Sequence, residues 1–224
     1  MTDAPLVACV IPALDAGRTL AGIVAGVRAA VPLALVIVVD DGSTDDSAPT
    51  AARCTDHVIR FASNKGKGAA LRAGFAHALA AGADRILTID ADGQHEPQFA
   101  PALLTALDDA DIAIGSRARD ARMPVRRRIT NGLASRAVSA ILRAPMPDTQ
   151  SGFRAFRRIV LEQVDAPGDR FEYETALLIR AARRGFRIAA VPVSTVYGAP
   201  SHFHGVRDTA RVIRTIWRHR AGAL

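Results

Sequence analysis

Short apolar runs rich in β-branched residues alternate with Ala-rich stretches of helical spacing through the first half of the chain. The runs predict strands and the stretches predict helices. The predicted strands are residues 6–11, 35–39, 57–61, 85–89 and 112–114, and the predicted helices are 18–30, 45–53, 68–81 and 97–107. Because strands that are apolar along their whole length are buried on both faces, this alternation predicts an α/β fold with a mostly parallel central sheet flanked by helices.

The second half of the chain follows this alternation less regularly. It predicts, in order, a helix at 126–143, a polar loop at 147–152, a strand at 153–156, a helix at 173–184 and a strand at 188–191. No internal repeat and no stretch with the composition of a linker interrupts the sequence. We therefore expect a single domain over residues 1–224.

Apolar and basic residues share the last predicted helix, at about 205–220. Val206, Ala210, Ile213 and Trp217 fall on one face at helical spacing, and arginines lie on the neighbouring side. This pattern is typical of a C-terminal amphipathic helix lying in a membrane interface, where a tryptophan fits the headgroup level. It also fits a helix that packs its apolar face on the sheet and exposes its arginines.

Polar residues cluster where the first four predicted strands end. Asp15 follows the first strand, and the segments at 40–43, 64–68 and 90–92 follow the next three. Because parallel sheets bind ligands at the carboxyl ends of their strands, we expect these turns to meet on one rim and form a single site. The 64–68 segment lacks P-loop spacing, and no Gly-x-Gly-x-x-Gly follows the first strand, so neither a P-loop NTPase nor a Rossmann dehydrogenase is indicated.

Asp90 and Asp92 flank a single residue, so in an extended chain their carboxylates point the same way. Two such carboxylates repel each other unless a cation lies between them, and hard divalent ions bind one or two carboxylates together with substrate phosphates. The pair therefore indicates Mg²⁺ or Mn²⁺ bridging to a diphosphate, with the Gln94 amide as a further ligand. The alternative is a solvated strand end without a ligand.

Composition restricts where the protein works. The longest apolar run, residues 31–39, falls well short of the roughly 20 residues that a membrane-spanning helix needs. The first residues do not resemble a signal peptide, and two cysteines, Cys9 and Cys54, make no disulfide framework. We therefore expect a cytoplasmic protein without a transmembrane helix.

The net charge of +7 is unevenly divided along the chain. Residues 1–112 carry 8 Lys+Arg and 14 Asp+Glu, a net charge of −6, whereas residues 113–224 carry 21 and 8, a net charge of +13. A basic half of this kind suits an anionic ligand or an anionic membrane surface. A nucleic-acid-binding protein is a more remote alternative, but aromatic residues are only 5% and no nucleic-acid motif is present, so we expect no nucleic acid partner.

Five motifs, taken in order, resemble a known enzyme family. They are Val-Ile-Pro at 10–12, Val-Val-Asp-Asp-Gly-Ser at 38–43, Asn-Lys-Gly-Lys-Gly-Ala-Ala-Leu-Arg at 64–72, Ile-Asp-Ala-Asp-Gly-Gln-His at 89–95 and Gly-Ser-Arg at 115–117. Their order and spacing resemble the family 2 glycosyltransferases of the GT-A fold. Two further motifs, Asp-Thr-Gln-Ser-Gly-Phe-Arg at 148–154 and Phe-Glu-Tyr-Glu-Thr at 171–175, resemble the dolichyl- and polyprenyl-phosphate sugar synthases, which transfer mannose or glucose from a nucleotide donor to a lipid phosphate.

The resemblance implies a role for each matching residue. Residues 1–115 would form the nucleotide-sugar and metal half, and residues 116–204 the acceptor half. The implied metal ligands are Asp90, Asp92 and Gln94, and the implied acceptor-phosphate residues are Arg127, Asn131 and Arg154. The implied nucleotide-sugar residues are Pro12, Asp15, Asp40, Asp41, Ser43, Lys67, Asp90 and Arg117. Among these, Pro12 and one or both of Asp40 and Asp41 would line the base pocket, and Arg117 would face the phosphates.

Asp92, Asp148 and Glu174 are the predicted catalytic residues. For Asp148 and Glu174 two roles are open, that of general base and that of orienting Arg154 or another arginine. The orienting role is favoured because a phosphate acceptor is already anionic and needs positioning more than deprotonation.

The resemblance implies an inverting, metal-dependent transfer from a GDP- or UDP-sugar to polyprenyl phosphate. The enzyme would be peripheral at the cytoplasmic membrane face. A soluble or polysaccharide acceptor is the alternative.

Overall fold

The computed structural model describes residues 5–117, 139 and 148–194, which build helices on both faces of a seven-stranded sheet. The strands are β1 (Val7–Ala13), β2 (Leu35–Asp40), β3 (His57–Arg60), β4 (Arg85–Thr88), β5 (Ile112–Arg117), β6 (Arg154–Arg157) and β7 (Ile188–Val193). The helices are α1 (Leu20–Ala30), α2 (Ser47–Cys54), α3 (Lys67–Ala80), α4 (Ala100–Ala106), α5 (Arg158–Gln163) and α6 (Glu172–Arg183). The predicted α/β fold with a mostly parallel sheet is confirmed.

The direction of β6 determines which segments reach the rim. The sheet order is β3-β2-β1-β4-β6-β5-β7, and β6 is antiparallel to both of its neighbours, whereas the other pairs are parallel. Arg154, at the start of β6, pairs with Thr88, at the end of β4. The segment that precedes β6 therefore lies at the edge where the parallel strands end, and the Thr88 hydroxyl donates to the Gly152 carbonyl there at 2.9 Å.

The sheet is buried on both faces, as the continuous apolar strands predict. In β1, Cys9 and Ile11 pack in the layer that contains α1 and α4, whereas Ala8 and Val10 pack in the layer that contains α3 and α6. All four side chains are fully buried. Because burying a large apolar side chain contributes about 1.5–3 kcal/mol, these two layers supply most of the driving force that keeps the strand ends in place.

Three helices, α1, α2 and α4, begin two or three residues later than the sequence pattern indicates, and for α2 and α4 the cause is local. The predicted helix at 97–107 divides into a 3₁₀ turn (Pro97–Phe99) and α4, because Pro101 has no N–H to donate to the Pro97 carbonyl and Ala100 donates to it instead. The predicted helix at 45–53 begins only at Ser47, because the Asp45 carboxylate accepts the Ser47 N–H at 2.9 Å and holds the preceding residues in a turn. The short helix α5 was not predicted, since six residues display too little periodicity.

Some predicted features fall outside the described residues. They include the C-terminal amphipathic helix at 205–220 and, apart from Ser139, the helix at 126–143. Among the residues that the structure describes, no helix combines the length and apolarity needed to cross a bilayer.

Candidate active site

The Asp90–Asp92 turn follows β4 at the carboxyl edge of the sheet. The Asp90 carboxylate lies directly over Gly152, since a Cβ built on Gly152 would be 2.3 Å from Asp90 Oδ2. Only glycine allows this approach. The backbone N–H of Gln94 donates to Asp92 Oδ1 at 3.0 Å. The end of β4 and the segment before β6 therefore position these carboxylates together.

The two carboxylates differ in their electrostatic environment. Burial raises the pKa of Asp92 to about 6, and the neighbouring charge of Asp90 contributes in the same direction. Burial also opposes ionisation of Asp90, but the attraction of Lys67 outweighs it and holds the pKa of Asp90 below its ordinary value. Asp90 is thus neutralised by an ammonium, whereas Asp92 faces a like charge. Asp92 is therefore the carboxylate that a cation would stabilise more.

Lys67, the first residue of α3, joins the end of β4 to α6. Its Nζ lies 2.7 Å from Asp90 Oδ1 and 2.8 Å from Glu174 Oε2. Burial opposes the charge of the ammonium, but the attraction of the two carboxylates outweighs it and raises the pKa of Lys67 above its ordinary value. Lys67 therefore remains protonated and is shared between two anions.

Arg117 and Asp148 form a bidentate ion pair. Arg117 Nε donates to Asp148 Oδ2 at 2.7 Å and Nη2 donates to Oδ1 at 3.0 Å. The Gln150 N–H also donates to Asp148 Oδ1, at 3.3 Å. A carboxylate held in this way fixes the plane of the guanidinium. The geometry matches the orienting alternative for Asp148, with Arg117 rather than Arg154 as the partner.

Arg154 is fully enclosed by the protein, with 1% of its side chain exposed. Its Nε, Nη1 and Nη2 donate to the carbonyl oxygens of Ser151, Glu174 and Thr149 at 2.7, 2.9 and 2.9 Å. All three of these nitrogens therefore donate to the protein itself, and the acceptor-phosphate role of Arg154 stays a prediction. The hydrogen bonds hold the 149–151 segment against the first turn of α6.

Asp40 and Asp41 have separate roles. The carboxylate of Asp41 accepts the N–H groups of Lys65 and Gly66 at 2.7–3.2 Å and thereby orders the 64–68 loop. Asp40 Oδ1 accepts the Ser43 N–H at 3.0 Å. Asp40 Oδ2 lies 3.3 Å from Arg60 Nε but accepts no hydrogen bond from the described residues. Of the pair, Asp40 therefore keeps one buried oxygen that faces Arg60 without a hydrogen bond from the described residues, whereas Asp41 orders the loop.

Asp15 and Ser43 connect the first and second turns of the rim. The Asp15 N–H donates to Ser43 Oγ at 3.0 Å, and Asp15 Oδ1 accepts the Thr44 N–H at 2.8 Å. Asp15 has a φ of 46°, which an aspartate tolerates better than most residues. Pro12 is half-buried near the end of β1 and pairs with Val39. The structure thus brings these predicted donor residues to one edge.

Two further residues at the rim, Thr19 and His95, were not predicted from the sequence. Thr19 Oγ1 donates to the Ala91 carbonyl at 2.5 Å and so fixes the peptide between Asp90 and Asp92. His95 is buried beside Phe153, with ring centroids 5.5 Å apart, and burial lowers the pKa of His95 to about 4. Its imidazole is therefore neutral near pH 7. The only sequence signal for His95 was its place in the 89–95 motif, and Thr19 gave none.

Comparison with known proteins connects this geometry to a family. A family model described as Glycosyl transferase family 2 matches residues 8–165, which include the rim from β1 to the start of β6. This chain is a family 2 glycosyltransferase. The family resemblance found in the sequence motifs is confirmed.

Curated relatives of this glycosyltransferase carry names that describe lipid-linked sugars. It is 34% identical over 199 residues to polyprenol monophosphomannose synthase of Mycolicibacterium smegmatis, covering 83% of this chain and 75% of the relative. It is 33% identical over 181 residues to undecaprenyl-phosphate mannosyltransferase of Micrococcus luteus, covering 75% of this chain and 74% of the relative.

The glycosyltransferase also resembles a solved structure over nearly its whole length. The crystal structure of glucosyl-3-phosphoglycerate synthase from Mycobacterium tuberculosis with Mn²⁺ and UDP-glucose matches with a TM-score of 0.79 and 25% identity. The match covers 99% of this chain and 80% of that chain. The predicted GT-A architecture is confirmed.

The rim of this glycosyltransferase fits a divalent cation at Asp92. Asp92 is a partly exposed carboxylate opposed by a like charge, the kind of oxygen donor that Mg²⁺ and Mn²⁺ prefer. Within residues 5–117 and 148–194 no group of three or more His, Cys, Asp and Glu side chains forms a metal cage. A cation held here would therefore take further ligands from the donor diphosphate and from water.

Proposed function

We propose that this glycosyltransferase moves a hexosyl group from a nucleotide-diphosphate donor to a polyprenyl phosphate, with Mg²⁺ or Mn²⁺ as cofactor. The observation that carries the proposal is the Asp90–Asp92 turn, in which Lys67 neutralises one carboxylate and the other has a pKa of about 6. The acceptor class rests on the two relatives, whose names specify polyprenol and undecaprenyl-phosphate products or substrates.

On the donor side, Asp92 and Asp90 would hold the cation, and one or both of Asp40 and Asp41 would line the base pocket. When bound, the cation supplies positive charge to the leaving diphosphate, so that no proton is needed there. Arg117 would contact the diphosphate with a guanidinium whose orientation Asp148 fixes at 2.7 and 3.0 Å. The roles proposed for Gln94 and Pro12 follow the family resemblance.

On the acceptor side, the phosphate group would attack the sugar carbon without a general base. Phosphate monoesters are anionic near neutral pH, so positioning contributes more than deprotonation. Asp148 and Glu174 are both paired with cations, which supports orienting roles for these carboxylates. Arg127 and Asn131, proposed to contact the acceptor phosphate, lie outside the described residues.

A transfer assay tests the proposal. Purified protein would be incubated with labelled GDP-mannose or UDP-glucose, polyprenyl phosphate and Mn²⁺, and label would be counted in the organic phase. We expect turnover by the wild type and a loss of about 100-fold or more in kcat/KM for Asp92→Asn, because neutralising charge on the leaving group is a major contribution to such transfers. The control variant is Asp109→Asn, which removes an exposed carboxylate in the turn that follows α4 and should keep full activity. Equal activity of the two variants contradicts the role of Asp92.

A soluble acceptor is the second candidate, favoured by the likeness to glucosyl-3-phosphoglycerate synthase over 99% of this chain. The same assay separates the candidates when phosphoglycerate replaces the lipid. Label in the aqueous product with phosphoglycerate, together with none in the organic phase with polyprenyl phosphate, would support the soluble acceptor.

A further inference from the structure

Four side chains of alternating charge form a row behind the Asp90–Asp92 turn, which we call the ion row: Asp90, Lys67, Glu174 and Arg154. Asp90 Oδ1 lies 2.7 Å from Lys67 Nζ, and Lys67 Nζ lies 2.8 Å from Glu174 Oε2. Glu174 Oε1 lies 3.8 Å from Arg154 Nη2. The exposed fraction of the side chains falls from 24% at Asp90 to 1% at Arg154. The row therefore runs from the rim into the protein interior.

The ion row is electrically balanced, with two cations and two anions. Its inner end is fixed, because Arg154 donates to three backbone carbonyls and one of them belongs to Glu174. Its middle is fixed as well, because Lys67 begins α3, whose Ala69 N–H donates to the Asp169 carbonyl at 3.0 Å. In such a buried row, each charge depends on its neighbours for compensation.

Both carboxylate oxygens of Glu174 face a cation. One carboxylate oxygen faces the Lys67 ammonium and the other faces the Arg154 guanidinium. Because Lys67 Nζ contacts both carboxylates, a change of charge at Glu174 reaches Asp90 through Lys67.

We propose that Glu174 is a positioning residue that counterbalances Lys67, so that the Asp90–Asp92 turn keeps enough negative charge to bind a divalent cation. Without this counterion, the positive charge of Lys67 would act on Asp90 alone. It would then compete with the metal for the Asp90 carboxylate. The inference deepens the proposed function and rests on the cation site assigned there.

The balance of the row predicts opposite effects for its two central residues. Glu174→Gln leaves an excess positive charge beside the turn, which opposes a divalent cation. Lys67→Met leaves an excess negative charge, which attracts it. The double variant restores the balance, so the two changes should cancel. A residue that acted as a general base, or only in folding, would not produce this pattern.

The experiment measures Mn²⁺ binding directly, with Mn²⁺ alone as the probe and free ion counted by electron paramagnetic resonance. We expect Glu174→Gln to weaken Mn²⁺ binding about tenfold and Lys67→Met to strengthen it about tenfold, because each variant changes the charge near the cation by one unit. The double variant should bind Mn²⁺ within about threefold of wild type, because its two charge changes cancel. Asp108→Asn is the control, since it removes one negative charge from an exposed ion pair with Arg85 at the start of β4. It should leave Mn²⁺ affinity unchanged.

Three outcomes would overturn the proposal. One is a shift of both single variants in the same direction. A second is a double variant that binds Mn²⁺ no better than Glu174→Gln. The third is Glu174→Gln with wild-type Mn²⁺ affinity and a large loss of kcat, which would make Glu174 the general base. If thermal unfolding shows that Glu174→Gln does not fold, Lys67→Met alone decides, because wild-type or weaker Mn²⁺ affinity in it contradicts the charge balance. No donor or acceptor is present, so a negative transfer assay would not affect this result.

Discussion

Arg154 and Arg157 lie three residues apart in β6 and have different environments. Arg154 donates to three backbone carbonyls and is enclosed, whereas the Arg157 side chain is 50% exposed and lies 3.6 Å from Asp111. Both are arginines in the same short strand, so residue type alone does not distinguish them. What distinguishes them is the number of protein oxygens around each guanidinium.

Replacement of these arginines by methionine should therefore give very different stabilities. Arg154→Met removes three hydrogen bonds to backbone carbonyls and leaves Glu174 without its inner cation, and should lower the free energy of unfolding by about 3–5 kcal/mol. Arg157→Met should lower it by about 1 kcal/mol or less, since exposed ion pairs contribute little. Urea denaturation measures both. Equal midpoints, combined with a raised KM for the acceptor in Arg154→Met, would support the acceptor-phosphate role predicted for Arg154.

At the scale of elements, α3 packs closely against β1, one of the strands that end at the rim. Gly74 in α3 faces Val10, and a Cβ added at Gly74 would be 2.2 Å from Val10 Cγ1. Val10 is fully buried in the middle of the sheet. The short distance between α3 and β1 therefore depends on residue 74 being glycine, which has no side chain.

Gly74→Ala should destabilise the protein although alanine favours helix. Overpacking costs about 1–3 kcal/mol and outweighs the gain of about 0.5–1 kcal/mol in helix propensity, so we expect a net loss of about 1–2 kcal/mol. Gly22→Ala in α1 is the matched control, because nothing lies within 4 Å of its added Cβ. It should raise the free energy of unfolding by up to about 1 kcal/mol. Thermal unfolding distinguishes these signs, and a stabilised Gly74→Ala would refute the packing explanation.

The bounds of the helices and strands show which local sequence patterns were sufficient to predict them. The strands β1 to β4 and the helices α1 and α3 lie within about two residues of their predicted bounds, because each has a clear apolar pattern, whereas β5 extends three residues beyond its predicted end. The start of α4 was missed because the outcome depended on one absent N–H, at Pro101. The antiparallel direction of β6 was not predicted, since strand direction depends on pairing partners and leaves no mark in a four-residue run.

At the scale of the whole molecule, charge is divided between the two halves of the chain, with −6 in residues 1–112 and +13 in residues 113–224. The acidic half contains the carboxylates proposed to bind the cation. The basic half is proposed to meet two further anions, the lipid phosphate and the membrane surface, at the cytoplasmic face.

Liposome flotation tests the membrane proposal. The protein should float with vesicles that contain anionic lipid and stay behind with purely zwitterionic vesicles, because the attraction is electrostatic. Binding should fall steeply towards about 1 M NaCl, where the Debye length is about 3 Å. Absence of flotation with anionic vesicles would favour the soluble acceptor, and salt-resistant flotation would indicate that burial of apolar side chains in the bilayer dominates.

The sequence by itself indicated the order of the described elements apart from α5, the burial of the sheet on both faces, and the position of Asp15, Asp40 and Asp90 at strand ends. These properties depend on local spacing and on apolar patterning, which can be read without knowing any contact. The family followed from the resemblance of the sequence motifs. The tertiary structure decided which charge meets which. It placed Lys67 between Asp90 and Glu174, paired Arg117 with Asp148, and enclosed Arg154. Such pairings depend on segments far apart in sequence meeting at one rim, and the reversal of β6 creates that meeting.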